Sequence, residues 1–172
     1  MFINKKVLFE ECPGHGQSPL NPPLMHVAAG FENGIARLHR DPQFEKYRNQ
    51  ITWADTIVFV YPIWWGRPPA MLMGYIDQLF SANFAYGDKK GLFPEGLLKG
   101  KSVVCVSTMK GPAKYPLLWL NDAHKILMKR ALFNFVGIKK VKFFEFGNME
   151  SPKGKQTQKL EKVYRYFRKV AS

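Results

Sequence analysis

Short apolar runs alternate along this chain with helix-length amphipathic stretches, and that alternation predicts βα units feeding a mostly parallel sheet. Residues 7–9 (VLF) read as a short first strand, 56–61 (TIVFVY) and 102–107 (SVVCVS) as fully buried strands, and 141–146 (VKFFEF) as a further one. A weaker run, residues 35–39 (IARLH), alternates in the manner of an edge strand and brings the number to five. About five helices lie between and after the strands, and three stripes stand out. Leu72, Tyr75, Ile76, Leu79 and Phe80 share a face within residues 69–80, and residues 117–135 carry another stripe before Gly137 supplies a C-terminal stop. Leu160, Val163, Tyr164, Phe167 and Ala171 form the third, with Ser151-Pro152 as its opening. Residues 88–100 (DKKGLFPEGLLKG) have no strong period and read as a loop.

At 172 residues the chain has the size of one domain, and no linker, repeat or low-complexity tract divides it, so a single domain over 1–172 is expected. Apolar residues at 46% and charged residues at 23% supply a core and exclude a disordered tail. No apolar run approaches the roughly 18 residues of a membrane-spanning helix, and the N-terminus lacks a signal-peptide layout. A cytoplasmic protein with no transmembrane segment is therefore expected. Cys12 and Cys105 are too few for a disulfide framework and lack the company of metal ligands, so no metal and no redox role is assigned to them.

Charge is segregated. Residues 1–88 hold 7 basic and 8 acidic side chains, whereas residues 89–172 hold 19 and 5. The second half would attract an anion of any kind: nucleic acid, acidic membrane or a phosphorylated cofactor. It would serve equally as a solvated basic face. No nucleic-acid recognition motif accompanies the charge, so a nucleic-acid partner is not expected.

An open doubly wound sheet with spatial order 2-1-3-4-5 fits this succession, and such sheets bind ligands beyond the carboxyl ends of the strands, where strand order reverses. Three loops are therefore the ones to inspect. After the first strand, residues 10–23 combine glycines with His15 and Ser18, and Asn21-Pro22 reads as a helix N-cap followed by N1. A helix opening there would turn free N–H groups toward a phosphate, although a plain structural turn fits the same residues. After the third strand, Pro62-Ile63-Trp64-Trp65-Gly66-Arg67 places two tryptophans at the sheet edge, where their faces suit a flat ring ligand or a lid over the core. After the fourth come Ser107 and Thr108.

The stretch Trp53-Ala54-Asp55, followed by TIVFVYPIWWGRPPAMLMGYIDQLFSANFAYG over residues 56–87, closely resembles the NAD(P)H:quinone oxidoreductase family of flavodoxin-like flavoproteins, which includes diaphorase-type reductases and the ancillary reductases of potassium-efflux systems. Weaker similarity extends through residues 96–101, Ser107-Thr108 and residues 133–138 (FNFVGI). The resemblance implies the flavodoxin-like five-stranded sheet with helices on both faces. It implies bound FMN or FAD, reduced by NADH or NADPH and reoxidised by a quinone or similar small-molecule acceptor in two-electron, ping-pong cycles. By position, His15, Ser18, Leu20 and Asn21 resemble the family's phosphate-side residues, Pro62, Ile63, Trp64, Trp65 and Gly66 the turn that lines the flavin ring, and Ser107 and Thr108 the pair at its other polar edge. Tyr115 falls where the family places a tyrosine that offsets charge as hydride arrives. A homodimer is likewise implied by the resemblance alone.

The chain departs from the family pattern in several places. Glu10-Glu11-Cys12 intervene between the first apolar run and His15, which would set two acids near a phosphate. The segment between the first and third strands is short for the family, and Met109-Lys110-Gly111-Pro112 stands where glycines are common. Asn121 lies near the usual place of a histidine, and His124, three residues later, is a substitute for it if it is not simply a solvated helix histidine. His26 and His39 receive no role. Two readings follow: a flavin-dependent NAD(P)H oxidoreductase, or a module that has lost or weakened its flavin and acts as the regulatory partner of a protein such as a membrane transporter.

Overall fold

Strands buried on both faces must be apolar on both, and the runs singled out above pair directly with one another. A computed structural model describes residues 6–11, 42–89, 94–150 and 155–171. Among them a four-stranded parallel sheet has the order β1 (Val7–Glu11), β2 (Thr56–Pro62), β5 (Ser102–Thr108), β6 (Lys140–Phe146). These are the first, third, fourth and fifth expected strands in the expected succession. Residues 35–39, the expected second strand, lie outside the described residues.

Side chains alternate across each strand, and this divides the core into two layers. Ile57, Phe59 and Tyr61 of β2, with Val103 and Cys105 of β5, face one side; Val58 of β2, with Val104 and Val106 of β5, face the other. The first layer is covered by α1 (Pro42–Trp53), through Phe44 and Ile51, and by α2 (Ala70–Leu79), through Leu72, Tyr75, Ile76 and Leu79. The stripe expected on residues 69–80 is thus the buried face of α2. The second layer is covered by α5 (Gln156–Ala171), whose Val163, Tyr166 and Phe167 pack on Val58, Val104, Val106 and Phe146.

Four expectations need correction. The first concerns residues 88–100, which hold part of an antiparallel hairpin, β3 (Tyr86–Lys89) with β4 (Pro94–Gly96), and not a plain loop. The second is the stripe over residues 117–135, which is broken. Helix α3 (Tyr115–Leu120) stops at Asn121 and Asp122, whose φ values of +48° and +55° are left-handed, and both N–H groups bond the Pro116 carbonyl in a Schellman-type stop. The chain then re-enters a helical path as α4 (Ala123–Lys125), which continues as a π-helical segment (Ile126–Phe133). The wider π turn sets Met128 and Phe133, five residues apart, on the same buried layer.

The third correction is to α5, whose contact face is rotated from the expected stripe. Leu160 and Tyr164 are exposed, while Tyr166, absent from that stripe, packs against Phe144 with ring centroids 5.4 Å apart. The helix opens at Gln156, beyond the expected Ser151-Pro152, which lies outside the described residues. The fourth concerns Glu10 and Glu11, which belong to β1, opposite Phe59 and Val60, and not to the loop after it.

Candidate active site

Register brings the loops at the carboxyl edge together. Pro62 at the end of β2 stands opposite Thr108 at the end of β5, which stands opposite Phe146 at the end of β6. The Ile63 N–H extends the ladder one step further by donating to the Thr108 carbonyl at 2.8 Å. The next four residues then reverse the chain.

Trp64 and Arg67 each donate an N–H to the other's carbonyl at 3.0 Å, closing a two-residue loop with Trp65 and Gly66 at its tip. The tip φ values of +52° and +73° are those of a type I′ turn, which ordinarily takes Asn-Gly. Gly66 suits this geometry, but a tryptophan at positive φ is strained. Trp65 is nevertheless 95% exposed, so burial of its ring in this chain does not offset the strain. Trp64 beside it is about half exposed. The N–H groups of Trp65 and Gly66 stand outside the reciprocal pair of bonds.

Helix α3 comes to this turn through Leu120, whose Cδ1 lies so close to the place of a Cβ on Gly66 that the leucine side chain would have to shift for any other residue. At the other end of α3, Tyr115 is partly exposed and stacks on Trp119 one turn later, centroids 6.1 Å apart and planes within 15°. Leu117, Leu118 and Trp119 are exposed as well. The carboxyl edge therefore combines an aromatic and apolar surface with a backbone turn whose two tip N–H groups have no partner among the described residues.

The expected ring-side residues are brought together: Pro62, Ile63, Trp64, Trp65 and Gly66 form the β2 exit, with Thr108 alongside. Ser107 is fully buried, its hydroxyl 3.5 Å from the Phe144 carbonyl, so Thr108 is the residue of that pair nearer the surface. Beyond it, Met109 is buried and Lys110 pairs with Glu150 at 2.9 Å. The expected phosphate-side residues His15, Ser18, Leu20 and Asn21 lie outside the described residues.

His124 is not solvated. It is buried just below the edge, with Nε2 2.7 Å from the Tyr61 hydroxyl and Nδ1 3.2 Å from Glu145 Oε1. Lys125 Nζ holds the other Glu145 oxygen at 2.6 Å and reaches Asp122 at 3.0 Å. Burial pushes the Glu145 carboxyl up, but hydrogen bonds from His124 and Lys125 outweigh it and hold the group below its ordinary value. An ionised Glu145 accepts the Nδ1–H, so in the neutral imidazole Nε2 accepts from the Tyr61 O–H. Burial, helped by Cys105 and Glu145, pushes the Tyr61 phenol far above its ordinary value, so it stays protonated. Burial likewise pushes the Cys105 thiol up to about 12. The sequence offered no signal for this network, because its members are separated by 63 and 21 positions.

A flat ring with a polar edge fits these residues, on the ground that a strained turn holds an exposed indole at the sheet edge, with two N–H groups that have no partner among the described residues. The comparisons with known proteins agree in kind. A family model described as flavodoxin-like fold matches residues 20–170. An uncharacterised NAD(P)H oxidoreductase of Haemophilus influenzae is 36% identical over 131 residues, covering 75% of this chain and 62% of that protein. An FMN-dependent NADH:quinone oxidoreductase of Brevibacillus brevis is 30% identical over 135 residues, covering 77% and 62%. The chain thus spans 62% of the length of each of these two curated relatives. Among solved structures, Smu.1420 from Streptococcus mutans superposes with a TM-score of 0.73 at 28% identity, covering 95% of this chain and 99% of that one.

Proposed function

The chain belongs to the flavodoxin-like fold family, and from that premise we propose that it is an FMN-dependent NAD(P)H oxidoreductase of the quinone-reductase type, carried by a single domain of five strands in the order 2-1-3-4-5. The observation that carries this reading is the strained Trp64-Trp65-Gly66 turn set against Thr108 at the carboxyl edge of the sheet. When bound, FMN supplies the chemistry that neither the side chains nor the backbone can: it takes two electrons from NAD(P)H and yields them to a quinone or similar acceptor.

The chain's own residues bind and orient. Trp65 and Gly66 present their N–H groups to the polar edge of the ring, where fixed donors stabilise the negative charge that reduction places there. Trp64, Trp65 and Trp119 give apolar faces that exclude water. The Tyr115 phenol holds a proton near the same surface and donates a hydrogen bond as charge develops. His15, Ser18, Leu20 and Asn21 take the phosphate side. His124 acts as a positioning residue: through Tyr61 it fixes the strand end from which the turn leaves. Those basic side chains of residues 89–172 that face the carboxyl edge would draw in the anionic nicotinamide cofactor. The exposed Leu117, Leu118 and Trp119 fit the expected homodimer.

The regulatory-module reading drew on two acids in the phosphate loop and on the altered Met109-Lys110 segment. Glu10 and Glu11 close β1 at its carboxyl end, immediately before that loop. Reconstitution tests the choice. The protein incubated with FMN and desalted should keep an absorbance band near about 450 nm, and Trp65→Ala should lose most of it. A wild-type protein that emerges colourless while folded would contradict the proposal.

A further inference from the structure

At the other edge of the sheet, some 20 Å away along seven-residue strands that rise about 3.3 Å per residue, lies a cleft of about 720 Å³ that the electron-transfer reading leaves unused. Its walls come from the segment between β4 and β5, the end of the π-helical segment and the start of β6. Lys99, Lys101, Arg130, Lys139 and Lys140 line it, with no carboxylate among the lining residues. Some of these charges are committed: Lys101 to the Thr52 and Ala54 carbonyls, Lys99 to Glu95, Lys139 to the Asn134 carbonyl. Arg130 and Lys140 are exposed and have no ion-pair partner among the described residues. Two cations of one cleft left without an ion-pair partner among the described residues set up a field that favours an anion.

The floor of the cleft is not generic. Asn134 lines it, although its side-chain oxygen is sealed from the cleft and has no hydrogen-bond partner among the described residues. Beside it, Phe135 meets Tyr86 edge to face at 5.2 Å and remains 39% exposed, so aromatic surface is open to the cleft. A volume of this size is that of a small-molecule site.

We propose that this amino-edge cleft is a second ligand site that takes a nucleotide. Phosphates lie against Arg130 and Lys140, and the base packs on Phe135. Concavity separates this from a nucleic-acid face, because the cations converge on one hollow and do not track an extended backbone. The proposal stands independently of flavin binding at the opposite edge.

Calorimetric titration of the full chain with ADP, in the presence and absence of excess FMN, tests it, with inorganic pyrophosphate and a short single-stranded oligonucleotide as comparison probes. One ADP should bind per chain, unaffected by FMN and more tightly than pyrophosphate. Arg130→Ala with Lys140→Ala, both at exposed positions, should weaken ADP by about tenfold or more without changing Tm, and Phe135→Ala should bring ADP down to the pyrophosphate level; neither should change FMN retention. Competition between ADP and FMN would place the nucleotide in the active site and overturn the proposal. So would equal affinity for ADP and pyrophosphate, insensitivity to the variants, tighter binding of the oligonucleotide, or no binding at millimolar ADP.

Discussion

The Tyr61 hydroxyl lies 2.7 Å from His124 Nε2, and through that contact the last buried turn of β2 is tied to α4, and by way of Glu145 to β6. Three elements that meet below the carboxyl edge are joined there by side chains, not only by strand pairing. A fully buried imidazole bonded at both nitrogens is a structural keystone whose removal leaves two polar groups stranded.

His124→Phe should therefore destabilise the protein by about 2–4 kcal/mol, because the Tyr61 hydroxyl and one Glu145 oxygen lose their partner in a buried setting. Thermal unfolding should show a fall in Tm of roughly 5–15 °C. His124→Gln, which can still bond one neighbour, should recover part of it. A Tm within a degree of wild type in both variants would contradict the network.

Acid should act through Glu145. Its carboxyl is held below the ordinary 4.5, so the stability it contributes is complete above that value and is lost as pH falls through its depressed value in the folded protein. Lys125 is the counterpart: burial lowers its value but the bonds to Glu145 and Asp122 raise it further, so its contribution is complete below 10.5 and fades as pH rises beyond. Stability measured by urea unfolding should decline on both sides of this window. Glu145→Gln should flatten the acid limb, and an unchanged acid limb in that variant would show that other carboxylates dominate it.

Trp65→Gly should separate stability from ligand binding. Removing a β-carbon at φ +52° relieves strain and should stabilise the turn by up to about 1 kcal/mol, even after the entropy glycine brings to the unfolded chain. The same change removes the exposed indole, so FMN should bind more weakly in a fluorescence titration. A less stable Trp65→Gly protein would mean that the ring packs in solution as the structure does not show.

Gly66→Ala should be costly for two reasons, the positive φ and the Leu120 side chain that occupies the Cβ position. A loss of about 1–3 kcal/mol is expected by chemical denaturation. Adding Leu120→Ala to Gly66→Ala should cost less than the two single changes summed, since the smaller side chain removes the clash and leaves only the backbone strain. Strict additivity would show that Leu120 does not press on the turn.

Much of the fold was legible because β2 and β5 are buried on both faces and must be apolar throughout: TIVFVY and SVVCVS admit little else. The exposure of the Trp64-Trp65-Gly66 turn at the sheet edge was legible for a related reason, since two tryptophans leaving a buried strand have no core left to enter. The β3–β4 hairpin was not, because its pairing sets Gly96 opposite Tyr86 and Gly87 opposite Glu95, with an irregular register after Gly87, and so leaves no alternating apolar period to read. The stop at Asn121 and Asp122 escaped notice because the apolar period resumes beyond it, and a helical wheel cannot register two left-handed residues. On α5, Leu160 and Tyr164 satisfy the period as well as Tyr166 does, and only the position of the sheet decides which of them is covered. His124 read as solvated because its partners, Tyr61 and Glu145, come from two strands that nothing in the local sequence connects to it.

The central claim, that the carboxyl edge holds a flavin which relays electrons from NAD(P)H, is tested most directly by an anaerobic titration. FMN-loaded protein should lose its band near about 450 nm on addition of one equivalent of NADH or NADPH, and regain it when a benzoquinone is added. A band that persists under both nicotinamide cofactors, in protein shown to retain FMN, would contradict the account.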